Sequence, residues 1–416
     1  MDHSPGPGVP AKLIEHPSMP RLPSLLLNFA HALDHLFLLI FATAVGAIAA
    51  DFGIARWEDL MPYTVGAFVM FGIGSIPAGR LGDLWGRRGM MLVFFAGMGC
   101  SAFAVALTNT PLQIAVALTV LGAFSSIYHP VGIPMLVQNT RTPGLAIGIN
   151  GLAGNLGIAL AAVSTGLLVK YFGWRTAFMV PGALALLTGA VFARYAPREQ
   201  DAPARRAQTH VHLPRHLAVR TFAVMVASAT TGSLIFNFTT NGNAQLMAER
   251  FDGLISDPAI LGALLAGIYT LAAFAQVVVG RLIDRVPVKP LFLAIVASQV
   301  VVFALASGSS GWLWYAATIG CMITVFGSIP FNDAMVVRYI DDSMRSRVSG
   351  TRIAVSFGIS SLAVYLLGPL VKSAGFSVLL MGMAGIAAVT TSIVMLLPGE
   401  ARMNAGLADT RVALPE

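Results

Sequence analysis

Residues 79–88 read Gly79-Arg80-Leu81-Gly82-Asp83-Leu84-Trp85-Gly86-Arg87-Arg88, and 201 positions later the chain returns to Gly280-Arg281-Leu282-Ile283-Asp284-Arg285. Both copies follow an apolar run. The same offset carries the His129-Pro130 region onto Ile329-Pro330-Phe331. A repeat at this distance in a chain of 416 residues makes the protein two copies of one unit of about 200 residues.

Working outward from the two copies, apolar stretches recur near 24–49, 60–80, 88–108, 111–138, 143–170, 174–195, 218–247, 257–282, 288–308, 312–339, 345–371 and 375–398. Each is long enough to cross a bilayer as a helix. The runs are continuous rather than alternating, which excludes a transmembrane barrel. The sequence therefore predicts an all-α polytopic membrane protein of twelve spans in two pseudo-symmetric six-helix bundles. Composition agrees: 56% of residues are hydrophobic and 11% charged, against roughly 25% charged in soluble domains.

The expected organisation is a cytoplasmic tail over 1–23, a first bundle over 24–195, a linker over 196–217, a second bundle over 218–398 and a cytoplasmic tail over 399–416. Residues 1–23 carry no secretory-signal pattern. With the N-terminus inside, 21 of the 26 Lys and Arg fall on the cytoplasmic side. That bias sets a multi-pass topology in the inner (plasma) membrane with both termini cytoplasmic. It also accounts for the net charge of +7 without nucleic acid. All five Trp fall at helix ends, where interfaces favour them. Cys100 and Cys321 both lie in apolar runs, so no disulfide framework exists.

On these residues the chain resembles the major facilitator superfamily over nearly its whole length. Gly79 to Arg88 is similar to that superfamily's G-x-L-a-D-r-x-G-r-r signature, departing at Leu84, and the second copy has Pro287 in place of the second Gly. The resemblance implies a gating role for Gly79, Asp83, Gly86, Arg87, Arg88, Gly280, Asp284 and Arg285, as a conformational latch in which an Asp meets a helix N-terminus and an Arg. The alternative is that the Arg residues only fix topology. A narrower resemblance, to the fosmidomycin-resistance-type efflux branch, rests on Tyr128-His129-Pro130-Val131-Gly132, on His31-Ala32-Leu33-Asp34-His35 and on Gly154-Asn155-Leu156-Gly157.

Ionisable groups inside hydrocarbon cost roughly 2.5 to 3.5 kcal/mol and mark function by default. The foremost are His31, Asp34 and His35, at i, i+3 and i+4 on one helix face. His31 and His129 fall at similar depths, and the superfamily likeness places helices 1 and 4 on a central cavity. These four are expected to form a proton-coupling site; an internal network that only fixes helix packing is the competing reading. A divalent metal on two His and an Asp is a further rival, weakened by the lack of a Cys or second carboxylate nearby. Tyr128, Asn155 and Asn332 are cavity candidates. Asn237, Asn241 and Gln245 form an uncharged stripe that either lines a wet wall or joins helices. Asp333 and Arg352 are expected to pair structurally or as a gate. The glycines 148, 151, 154 and 157 are expected first at close helix contacts.

The sequence thus points to a secondary active transporter using alternating access, with proton-coupled efflux of a small polar or amphipathic compound. Symport or uniport of an organic or inorganic ion, nitrate or a divalent metal among them, is the alternative, with a non-transporting receptor behind it. No Walker A, H-E-x-x-H or G-x-S-x-G motif occurs, so no ATP cassette, enzyme activity or cofactor is expected. Partners are then a small-molecule substrate, protons and lipid, and a monomer suffices.

Overall fold

The structure is a computed structural model, and it describes residues 20–55, 59–138, 140–199, 203, 214–255, 258–340 and 344–400. Among these there is no strand. The first half consists of α1 (Arg21–Asp51), α2 (Val65–Trp85), α3 (Arg87–Ala106), α4 (Pro111–Val137), α5 (Pro143–Phe172) and α6 (Trp174–Tyr195). The second half holds α7 (Arg215–Arg250), α8 (Pro258–Ile283), α9 (Val288–Ser307) and α10 (Gly311–Tyr339). Its last element, Arg345–Met395, is two helices meeting at Gly375, whose φ of 78° breaks the run; we label them α11 (345–374) and α12 (376–395). The matching joint in the first half, between α5 and α6, is Gly173 at φ 85°. Positive φ is nearly free only for glycine, so both halves turn at the same place for the same reason.

Eleven helices among the described residues are long and apolar enough to cross a membrane. α11 opens with Arg345, Arg347 and Arg352 and continues as an uncharged apolar run over 353–371. α2 was expected over 60–80 and lies five residues later. The polar repeat segment, read as a loop, is helical through Trp85 and breaks only at Gly86, φ 100°. Its carboxylate Asp83 faces the other half, and Arg80 is exposed. The second bundle begins at Arg215 rather than 218. Residues 1–19 and 401–416 of the expected tails and most of the linker lie outside the described residues, as does Trp57, and α1 begins at Arg21, inside the expected tail. Trp314 stands at a helix start but is fully buried, so it packs in the core instead of anchoring at an interface.

Two apolar cores organise the molecule. One runs through the first half and crosses into the second through Val279, Ile283, Phe292, Phe331 and Met335. The other lies wholly in the second half, around Phe251, Trp314 and Phe326. The halves are therefore fused at one end, where α2 packs on α11 and α5 on α8. We call this the latch end.

Candidate functional site: a cavity behind two latches

Between the halves is a cavity of about 520 Å³, within the range of small-molecule sites. Along α1 its lining runs from His31, which is buried, to Ala42 and Thr43, which are exposed, so it widens away from the latch end. Aromatic side chains Phe68, Phe71, Phe236, Tyr269 and Phe357 give it apolar walls. Polar groups from both halves collect at its floor.

The local sequence explains the first-half side of that floor. Pro130 and Pro134 cannot donate to the carbonyls four residues before them. The helix answers by widening to a π-turn over Tyr128–Gly132 inside α4. His129 is thereby turned to the cavity, and Tyr128 away from it. His35 Nε2 stands 3.4 Å from His129 Nε2. His31 stacks on Tyr128 with ring centroids 4.8 Å apart. Asn150 of α5 holds the cluster: its carbonyl accepts from His31 Nδ1 at 2.7 Å, and its amide donates to the Tyr128 hydroxyl at 2.6 Å. The Tyr128 hydroxyl donates in turn to the Leu27 carbonyl at 2.8 Å.

Two expected cavity residues stand behind the wall. Tyr128 is fully buried in the network just described and does not line the cavity. Asp34 is also fully buried: its Oδ1 accepts from Ser125 Oγ of α4, and its Oδ2 lies 3.9 Å from His129 Nε2. Helical rotation of about 100° per residue explains this. Asp34 is about 100° around α1 from His35, so "one face" is too coarse; the imidazoles see the cavity and the carboxylate sees α4.

In the second half, Arg352 of α11 and Asp333 of α10 both line the floor and pair at 2.5 Å with side chains 7% and 10% exposed. Asn155 and Asn332 line the cavity, and Asn155 Nδ2 and Asn332 Oδ1 are buried without a hydrogen-bond partner among the described residues. Asn237 also lines it while donating to Ser233 O and Ser360 Oγ, which ties α7 to α11. The side chains of Asn241 and Gln245 lie outside the described residues. Asn150 and Ser125 stand in the segments of α5 and α4 that resemble the efflux branch, but the sequence assigns neither a role. It left Arg352 as a structural or gating residue, although it is the only Arg or Lys on the cavity lining among the described residues.

The repeated segment builds two matched contacts at the latch end. Asp83 Oδ2, at the end of α2, accepts from the Arg347 backbone N–H in the first turn of α11 at 2.9 Å. Asp284, just past α8, accepts from the Gly144 and Leu145 N–H groups in the first turn of α5, both at 2.9 Å. A carboxylate on a helix N-terminus meets unpaired donors and the positive end of the dipole. Gly79 and Gly280 permit the approach: a Cβ on either would strike the backbone oxygen of Ser346 or Gly144. Arg87 is fully buried beneath, 3.6 Å from Asp83 and donating to Ser346 Oγ at 3.1 Å. Arg88 N donates to Glu199 at 3.0 Å and Val288 N to Glu400 at 2.9 Å. The carboxylates 199 and 400 are again 201 residues apart. Arg285 is exposed. Of the glycines on α5, Gly148 and Gly151 face Gln276 of α8, and Gly154 and Gly157 face His31 and Ala32 of α1.

A twelve-helix fold in two repeats, with a central cavity and a latch per repeat, defines a polytopic carrier. The profile of the Major Facilitator Superfamily matches residues 27–247, and the chain belongs to that superfamily. Among curated relatives, it is 33% identical over 171 residues to the tetracenomycin C resistance and export protein of Streptomyces glaucescens, covering 39% of this chain and 31% of that one. It is 28% identical over 174 residues to a probable actinorhodin transporter of Streptomyces coelicolor, covering 39% and 29%. The chain thus spans about a third of the length of these relatives. The proton:xylose symporter XylE bound to 6-bromo-6-deoxy-D-glucose shares the fold, with a TM-score of 0.72 at 13% identity over 91% of this chain and 96% of that one.

Proposed function

We propose that this protein is a secondary transporter that moves a small amphipathic compound outward across the plasma membrane by alternating access, in exchange for protons. The observation that carries this reading is the pair of latches. Related by the repeat, they hold one end of a two-part body shut while the cavity opens toward the other, as a rocking mechanism requires. The rocking bodies are the bundles 24–195 and 218–398, and a monomer suffices. On the arginine bias, the latch end and both termini are cytoplasmic.

Apolar aromatic walls over a polar floor suit a compound with one greasy and one hydrogen-bonding face. Export is supported by the printed roles of the two Streptomyces relatives, and by the likeness of the His31–His35 and Tyr128–Gly132 segments to the fosmidomycin-resistance branch. Proton exchange falls to Asp34 and the imidazoles beside it, the ionisable groups of the first half at and just behind the cavity floor. The test is flux in proteoliposomes under an imposed pH gradient, with a panel of drugs, phosphonates, organic acids and nitrate. Substrate-dependent proton movement is expected, and Asp34→Asn should abolish it in folded protein. Coupling unchanged by that substitution refutes the proton assignment; no flux of any panel member driven by the gradient refutes the antiport.

A further inference from the structure

We propose that His31, His35 and His129 together bind one divalent transition-metal ion of the zinc class at the floor of the cavity. One ring nitrogen from each lies within 4.8 Å of the other two. The closest pair, His35 Nε2 and His129 Nε2, is 3.4 Å apart. Two nitrogens bound at about 2.0–2.1 Å to one tetrahedral ion stand about 3.3–3.4 Å apart, so this pair already has the required spacing.

The third ligand is oriented by its own hydrogen bond. The Asn150 carbonyl can only accept, so His31 Nδ1 carries the proton of that bond and Nε2 keeps its lone pair. Nε2 is buried and has no hydrogen-bond partner among the described residues. Support of one ring nitrogen by a backbone carbonyl, leaving the other for the ion, is the usual arrangement of a ligating histidine. Charge is provided for as well. Asp34 Oδ2, 3.9 Å from His129 Nε2 and otherwise without a partner among the described residues, offsets part of the ion's charge, while Arg352 on the same floor is already neutralised by Asp333.

Imidazole donors beside a carboxylate suit Zn²⁺, Co²⁺, Ni²⁺ or Cu²⁺ rather than Mg²⁺ or Ca²⁺, which favour all-oxygen shells. The cavity above the cluster leaves the remaining coordination position to water or to a donor atom of a cavity ligand. The inference concerns binding alone and stands whether or not the chain exports anything.

The experiment uses the full chain, with its affinity tag removed, in detergent, titrated with Zn²⁺ against a chromogenic chelator. One equivalent is expected to bind. His35→Ala and His129→Ala should each remove it, and Asp34→Asn should weaken it about tenfold, the scale of an outer-shell partner. His210→Ala/His212→Ala, in the linker, should leave it intact. X-ray absorption at the zinc edge on the unaltered protein should count three imidazoles, a readout that needs no variant to fold. No stoichiometric binding, binding retained in His35→Ala, or fewer than three imidazoles overturns the site. Zinc binding without flux would instead defeat only the transport reading, and flux without zinc binding only this one.

Discussion

If the two carboxylates at the latch end hold one conformation shut, neutralising them must raise the population of the other by a predictable factor. Asp83 accepts from the Arg347 N–H in the first turn of α11, and Asp284 accepts from the Gly144 and Leu145 N–H groups in the first turn of α5. Asn in either place keeps an acceptor and loses the charge. A charge at a partly buried helix N-terminus is worth about 0.3–2 kcal/mol. We take about 1 kcal/mol for Asp83→Asn and about 1–2 kcal/mol for Asp284→Asn, or roughly 5-fold and roughly 5–30-fold in population. The sites lie on opposite sides of the interface, so the double variant should multiply the factors. Ser346 reports the opening: it is fully buried under Gly79 and Arg87. In a background lacking Cys100 and Cys321, the alkylation rate of Ser346→Cys scales with the open population when reclosing is fast. Acceleration by Asp83→Asn alone would be ordinary local loosening. Acceleration by Asp284→Asn, on the other side, requires the halves to part as units. An unchanged rate in Asp284→Asn would refute the coupled latch.

Gly280→Val places a side chain against the Gly144 carbonyl, so the same Ser346→Cys probe should react faster even with both carboxylates intact. Asp333→Ala leaves Arg352 buried and unpaired; thermal or denaturant unfolding in detergent should show a loss of about 3–5 kcal/mol, much of it recovered in Asp333→Asn/Arg352→Gln. Tyr128→Phe removes one buried donor-acceptor hydroxyl that serves both Leu27 and Asn150. It should cost about 1–3 kcal/mol in the same assay, and more than Tyr315→Phe, whose part-buried hydroxyl makes one bond to Leu264. Glu199→Ala and Glu400→Ala should each cost about 0.5–2 kcal/mol as lost caps of α3 and α9, Glu400→Ala losing in addition the Arg338 pair at 2.6 Å.

The fold was legible because span length and apolar content are properties of long segments, and because Gly79 and Asp83 return together as Gly280 and Asp284. Single residues carry less. Glu199 and Glu400 obey the same offset, but an isolated carboxylate after a span gives no signal until its partner N–H is seen. Asn150 was one amide in a glycine-rich helix; its importance depends on Tyr128, whose direction is set by a π-turn. Even so, Pro130 and Pro134 remove donors four residues apart, which marks the place where a regular helix must fail. Asp34 was found but put on the wrong surface, because an i, i+3, i+4 set spans an arc wide enough to face two neighbours. Arg352 reads from sequence as the partner of Asp333 and no more, because the reach between two helices says nothing of the cavity that both side chains also line.

The latches and the floor are parts of the same helix ends, and this is what lets an occupant of the cavity act on them. In α11, Arg347 donates to Asp83 and Arg352 reaches the floor five residues on, about 7.5 Å along the axis. In α5, Leu145 donates to Asp284 and Asn150 positions His31 the same distance away. α8 repeats the arrangement from the other side, with Gln276 lining the cavity about two turns before Asp284. One or two turns of helix are too short to bend freely, so a ligand that draws Arg352 or the imidazoles toward itself displaces a first-turn N–H from its carboxylate. Such a ligand shifts the equilibrium only by as much as it prefers one arrangement of the floor over the other. With each latch worth about 1–2 kcal/mol, a preference of a few kcal/mol, within reach of one or two charge-assisted hydrogen bonds at the floor, is enough to open the end it cannot touch.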